Sequence, residues 1–267
     1  MDNTNELKQC LGFIDLTTLN ATDTPQRAQT FAHNVNRFAQ TYPQLPCVAA
    51  ICVYPMLVAD VKEALTVPSV KVAATGAGFP ASQTFEDVKA LECALCVDYG
   101  ADEVDIVISL NHFLSGNYDA VAHEIDCIRM VMDKAAADRN TTAHLKVILE
   151  TGALKTEEAI RKASFIAMEH GADFIKTSTG KSEPAATPFA AEVMCHCIKE
   201  FYQNTGKKVG FKPAGGIVAS ADALAYRSIV QRILGDEWLT PSLFRIGASR
   251  LANHLLSDIL RQEVVFF

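Results

Sequence analysis

Two lysines interrupt apolar runs where a buried strand should carry aliphatic side chains: Lys176 in DFIKTST and Lys212 in VGFKPAGG. Side chains alternate along a strand, so Phe174, Lys176 and Ser178 share one face, as do Gly210, Lys212 and Ala214. Both lysines come late in their runs and are followed by small turn residues. On neighbouring strands about 4.8 Å apart, inward-pointing lysines would bring their ammonium groups within several ångströms of each other. A solvated lysine, with a pKa of about 10.4, leaves only a few molecules in roughly ten thousand neutral at pH 7. A second cation at about 6 Å, with an effective dielectric near 20, contributes roughly 2.8 kcal/mol, or about two pKa units. Desolvation pushes the same way. An amine so depressed attacks a carbonyl and forms a Schiff base. Either lysine alone reads as a strand-end residue snorkelling to water; the matched pair reads as chemistry.

Other polar residues follow the same pattern. In EVDIVIS, Val104, Ile106 and Ile108 form an apolar face, leaving Asp105, Val107 and Ser109 on the other. An inward Asp105 is either a counterion to a buried lysine or a proton relay beside the pair. Asp15 and Thr17, in FIDLTTLN, sit where contact with a substrate hydroxyl competes with ordinary capping. Cys52 in AAICVYP reads as a small inward residue lining the pocket. The turns STGK, PAGG and GASR are rich in small residues. Amides of Gly215, Gly216, Gly247 and Ser249 could ring a phosphate, with Lys181 and Arg250 supplying charge. Against this stands the plain reading that glycines close turns. Cys93 and Cys96, and Cys195 and Cys197 flanking His196, lie on helical runs and read as packing thiols rather than zinc ligands.

The elements that must hold these residues alternate along the chain. Strand candidates are FIDL, CVAAICVY, VKVAAT, EVDIVIS, HLKVILE, FIKTS, VGFKPAG and FRIGA. Between them lie helical segments with start signals at Thr24-Pro25, Thr84 with Asp87, Thr156 with Glu158, and Thr187-Pro188. Eight strand–helix repeats over 267 residues, with no linker or glycine-rich GxGxxG turn, predict one α/β domain folded as a (β/α)8 TIM barrel. A short extension over 1–11 and a tail from about 257 would flank it. In such a barrel, functional side chains gather at the C-terminal ends of the strands.

Composition narrows the function classes. A hydrophobic content of 49% suffices for a full core, and 24 basic against 31 acidic residues offer no general attraction for nucleic acid or an anionic membrane. Eight irregularly spaced cysteines, with no signal-like stretch in MDNTNELKQC, predict a soluble cytoplasmic protein with reduced thiols. Any phosphorylated ligand must be held by a local cluster of cations and amides.

Taken together, DFIKTSTGK, VGFKPAGG, ADEVDIV, FIDLTTLN and FRIGAS resemble, in order from about Gly12 to Leu256, the deoxyribose-phosphate aldolases, class I aldolases built on a TIM barrel. The resemblance implies reversible cleavage of 2-deoxy-D-ribose 5-phosphate to acetaldehyde and D-glyceraldehyde 3-phosphate, with no metal or organic cofactor. It implies Lys176 as the Schiff-base lysine, Lys212 as the neighbour lowering its pKa, and Asp105 as their proton-relay partner. Asp15 corresponds to a substrate-hydroxyl contact, and Lys181 with the GG and GAS turns to a phosphate site. Partners are then a phosphorylated sugar and aldehydes, with a homodimer as the expected assembly. A Schiff-base aldolase of another sugar phosphate, or a barrel binding phosphosugars without turnover, are the alternatives. The chain departs from the family pattern in reading GASR where many relatives read GASS. It also ends in EVVFF, where some carry a tyrosine-terminated tail that assists proton transfer.

Overall fold

The computed structural model describes residues 3–267. Eight short parallel strands form the centre: β1 (Ile14–Thr17), β2 (Ala50–Val53), β3 (Lys71–Thr75), β4 (Glu103–Val107), β5 (His144–Ile148), β6 (Phe174–Lys176), β7 (Gly210–Lys212) and β8 (Ile246–Ala248). They pair in the order β7-β6-β5-β4-β3-β2-β1-β8. Two parallel bridges, Phe211 to Phe244 and Ala214 to Gly247, close the ring between β7 and β8. All eight expected strands form, and the fold is a (β/α)8 barrel. The strands are apolar because helices cover one face and the packed interior the other.

The helices are α1 (Thr4–Gly12), α2 (Pro25–Thr41), α3 (Val58–Ala64), α4 (Glu86–Asp98), α5 (Leu110–Leu114), α6 (Tyr118–Asp138), α7 (Thr151–Leu154), α8 (Glu157–Glu169), α9 (Pro188–Thr205), α10 (Ser220–Leu234) and α11 (Leu251–Leu260). Three starts follow their sequence signals: the hydroxyls of Thr24, Thr156 and Thr187 accept from the amides of Arg27, Ala159 and Ala190. At α4 the expected cap at Thr84 gives way to an extended Phe85 with no side-chain cap bond. There Glu86 and Asp87, placed in the first turn, complement the positive end of the helix.

The ends of the chain differ from expectation. The segment read as an extension contains α1, which packs on α10 and α11; there Arg227 donates to Gln9 at 2.9 Å. Helix α11 runs to Leu260, and the last residues fold back on it. Asn253 Oδ1 accepts from the amides of Phe266 (2.8 Å) and Phe267 (3.0 Å), and both rings pack on Phe38. The half-buried Phe266 and Phe267 are therefore held against the buried Phe38 at the end of EVVFF. The eight cysteines are free; Cys93 and Cys96 are buried on α4, and Cys195 and Cys197 on α9. Among the described residues, no helix is long and apolar enough to cross a membrane.

Candidate active site

Strand register brings the two lysines together: Lys176 and Lys212 are direct partners on β6 and β7. One pleat lower, Asp105 on β4 partners Lys146 on β5. Asp105 Oδ2 accepts from both Lys176 Nζ and Lys212 Nζ, each at 2.7 Å, and its Oδ1 accepts from Lys146 Nζ at 2.9 Å. The ammonium groups of Lys176 and Lys212 thus lie within twice that shorter distance of each other. Glycine at 247 allows this crowding, because a Cβ there would sit 3.1 Å from Lys212 Cε and 2.8 Å from Ala214 Cβ.

Below this layer the network continues. Lys146 Nζ also reaches Glu103 (2.6 Å) and Asp15 (3.5 Å), and Lys212 Nζ reaches Asp15 Oδ2 at 2.5 Å. Arg245 donates to Glu103 at 2.6 and 3.1 Å and to Asp15 Oδ1 at 2.6 Å. Four cations, Lys146, Lys176, Lys212 and Arg245, thus face three carboxylates, Asp15, Glu103 and Asp105, all of them buried. His144, half exposed at the start of β5, approaches Glu103 at 3.9 Å from outside.

With one cation in excess, the cluster reaches neutrality when one proton leaves. Burial opposes ionisation of Asp105, but Lys146, Lys176 and Lys212 overcome it and hold the carboxyl well below its ordinary range. Burial likewise disfavours the charged forms of Lys146, Lys212 and Arg245, yet their carboxylate partners raise all three. Lys176 alone among the four moves down. Burial is the largest cause, and Lys212 adds to it against the single opposing carboxylate, Asp105. That carboxylate is already shared with two other ammonium groups, whereas Lys146 touches three carboxylates and Lys212 two.

Lys176 also opens onto solvent-accessible space. A cavity of about 250 Å³ at the barrel mouth is lined by Lys176, Thr17, Lys181, Gly215, Gly216, Gly247, Ser249 and Arg250. Thr18, Leu19, Asn20 and Thr179 also line it. The three small-residue turns converge here. A Cβ on Gly215 would meet Ala185 Cβ at 2.6 Å and Gly180 Cα at 3.0 Å, so the loops after β6 and β7 touch only because that residue is glycine. Lys181 Nζ donates across the mouth to the Leu19 carbonyl at 2.5 Å. A groove of about 500 Å³ on the outside, between α8 and α9, contains none of these groups.

Three residues read as facing the pocket lie away from the cavity wall. Asp15 is wholly buried beneath Lys212, its carboxylate turned to Lys212, Arg245 and Lys146. Cys52 points inward but lies below the mouth with Ala50 and Ala73, its thiol pKa raised by burial. Ser109 lies beyond the end of β4 and turns outward to Lys89 and Glu124. Lys146, Glu103 and Arg245, none of them expected at the site, complete the network. In HLKVI, EVDIV and FRIGA each occupies the same alternating inward face as Asp105, but what gives them partners is the neighbouring strands, which no single run of sequence shows.

Residues 10–233 match the DeoC/LacD family aldolase model. The chain is 44% identical over 266 residues to the deoxyribose-phosphate aldolase of Homo sapiens, covering 96% of this chain and 80% of that protein. To that of Mus musculus it is 43% identical over 266 residues, with the same coverage. The aldolase QR15 superposes with a TM-score of 0.74 at 26% identity, covering 94% of this chain and 96% of its own. The tetrameric deoxyribose phosphate aldolase of Aeropyrum pernix shares the fold, with a TM-score of 0.69 at 23% identity over 94% of this chain and 92% of its own. By family match and by relatives aligned over nearly its whole length, this chain belongs to the DeoC/LacD aldolase family.

Proposed function

We infer that the chain catalyses reversible cleavage of 2-deoxy-D-ribose 5-phosphate to acetaldehyde and D-glyceraldehyde 3-phosphate through a Schiff base on Lys176. The observation that carries this reading is the single depressed amine: of the four cations clustered inside the barrel, the one whose pKa falls is the one opening onto the cavity. The amine of Lys176 adds to the C1 carbonyl, and loss of water leaves a cationic iminium beside Asp105 Oδ2, which accepts from the lysine at 2.7 Å before reaction. The positive charge that left with the proton returns as the iminium, in a site built to hold it. Removal of the C3 hydroxyl proton breaks C2–C3 and releases D-glyceraldehyde 3-phosphate, the bonding pair passing to C2 and into the iminium as an enamine. Protonation at C2 and hydrolysis release acetaldehyde and restore the amine. Asp105 and Lys212, joined at 2.7 Å, are the groups that exchange protons with Lys176. Lys146, Glu103, Asp15 and Arg245 position that pair from below.

The amides of Gly215, Gly216, Gly247 and Ser249, with Lys181 and Arg250, take the 5-phosphate at the far side of the cavity. Turnover is favoured over simple phosphosugar binding because anion binding alone gives no reason for a buried amine with a lowered pKa. Two copies are inferred to associate through α4, where Phe85, Val88, Leu91, Leu95 and Tyr99 are exposed beside Met56; light scattering should give twice the chain mass.

Borohydride reduction in the presence of acetaldehyde tests the chemistry. An irreversible ethyl adduct should map to the Lys176 peptide; no adduct, or one that persists in Lys176→Ala, contradicts the assignment.

A further inference from the structure

On the helix layer, outside the barrel, three side chains with metal-ligating atoms converge between α4 and α6. His123 and Cys127 are one turn apart on α6, and Glu86 opens α4. His123 Nε2 lies 3.4 Å from Glu86 Oε1 and 3.5 Å from Cys127 Sγ, and all three ligand atoms lie within 4.8 Å of one another. A tetrahedral zinc-type centre has metal–nitrogen and metal–oxygen bonds of about 2.0–2.2 Å and a metal–sulfur bond of about 2.3 Å. Its ligand edges are then about 3.3 Å from nitrogen to oxygen and about 3.6 Å from nitrogen to sulfur. The two edges meeting at His123 Nε2 match these values without any side-chain movement.

We propose that Glu86, His123 and Cys127 form a binding site for a divalent transition-metal ion of the zinc class, bridging α4 and α6, with water in the fourth position. Thiolate and imidazole together select such an ion over magnesium or calcium, which take oxygen ligands. The charges balance, since one thiolate and one carboxylate neutralise a dication while the imidazole binds neutral. The surroundings are also anionic, with Asp87 next to Glu86 at the start of α4 and Asp126 next to Cys127 on α6, and that field attracts a cation. Asp126 is itself paired with His170 at 2.8 Å, so it contributes field rather than a ligand atom. Because Glu86 and Cys127 belong to different helices, a bound ion ties the start of α4 to α6. The ion stabilises the folded chain and takes no part in the barrel chemistry.

Cobalt(II) titration of chelator-stripped protein, followed by optical absorption, tests the site. One equivalent per chain should give a thiolate-to-cobalt charge-transfer band with tetrahedral d–d bands, both displaced by zinc. Cys127→Ser should abolish the charge-transfer band, and His123→Gln should weaken cobalt binding at least about tenfold. Both variants should keep the wild-type circular dichroism and turnover. Zinc should raise the melting temperature of the wild type and not that of Cys127→Ser. Absence of the band in the wild type, or its survival in Cys127→Ser, overturns the proposal; so does a zinc-induced stabilisation equal in both proteins.

Discussion

Two lysine clusters are buried in this molecule, one inside the barrel and one in the helix layer, and only the first is built for chemistry. In the helix layer, Lys89 Nζ meets Glu124 Oε2 at 2.6 Å and Ser109 Oγ at 2.7 Å, and the serine donates to the same carboxylate. One cation faces one anion, and a hydroxyl satisfies the remainder. Inside the barrel, four cations face three carboxylates, and Lys176 shares its one carboxylate with two other ammonium groups. A balanced buried pair holds elements together. An unbalanced cluster makes one proton easy to lose, and the register of β6 and β7 places that proton on the lysine facing the cavity. Burial alone does not make a lysine reactive; the ratio of charges around it does.

Removing Lys176 should have the largest effect. Lys176→Met is expected to lower retro-aldol turnover by roughly 10⁴-fold or more, while its urea midpoint at neutral pH equals or exceeds that of the wild type. The sign follows from its pKa, which in the folded chain lies below the ordinary value of 10.5. Keeping that amine protonated therefore costs folding free energy at all pH values below its native pKa, a cost that fades as the pH rises to the unfolded value. The methionine removes the cost, so its stability advantage should shrink on approaching pH 10.5. A variant that loses stability along with turnover would mean that Lys176 is a structural cation like Lys89.

Lys89→Met inverts the pattern. It strands the Glu124 carboxylate and should cost about 3–5 kcal/mol in chemical denaturation with turnover nearly intact. Lys89→Met combined with Glu124→Met should recover most of that loss, because no charge is left unpaired. If the double variant is no more stable than the single, packing rather than ionic balance governs the site.

Lys212→Met tests the imbalance itself. It leaves three cations facing three carboxylates, so Lys176 has no excess charge to shed, and its pKa should rise. Turnover at pH 7 should fall and recover as the pH is raised, whereas a loss that no alkalinity restores would point to Lys212 as an indispensable proton donor. The smallest effect belongs to Arg250, an exposed cation at the cavity wall. Arg250→Ser should raise KM for the phosphorylated substrate by about fivefold, roughly 1 kcal/mol, with kcat unchanged. An unaltered KM would place its guanidinium in solvent.

The contrast between the two clusters was only half legible in the sequence. A cation late in a short apolar run is conspicuous, and two of them before glycine turns gave Lys176 and Lys212 together. Alternation pointed Asp105 inward, but it also put Ser109 on the same face, because nothing local marked where β4 ends. Lys146, Glu103 and Arg245 obey the same alternation, yet their role depends on which strands are neighbours, a fact of barrel closure and register. Asp15 was visible as a polar residue in the first strand, but its depth below the mouth was not, since depth follows from strand stagger. The eight strands and three helix starts came from local patterns, while the missing cap at Thr84 reflects a backbone that stays extended through Phe85.

The most direct test of the charge-imbalance account is the pH dependence of borohydride-trapped acetaldehyde adduct at Lys176, in the wild type and in Lys212→Met. The account predicts a wild-type midpoint below the ordinary lysine value and a higher midpoint in the variant. Identical midpoints in the two proteins would contradict it, leaving desolvation as the only influence on the reactive amine.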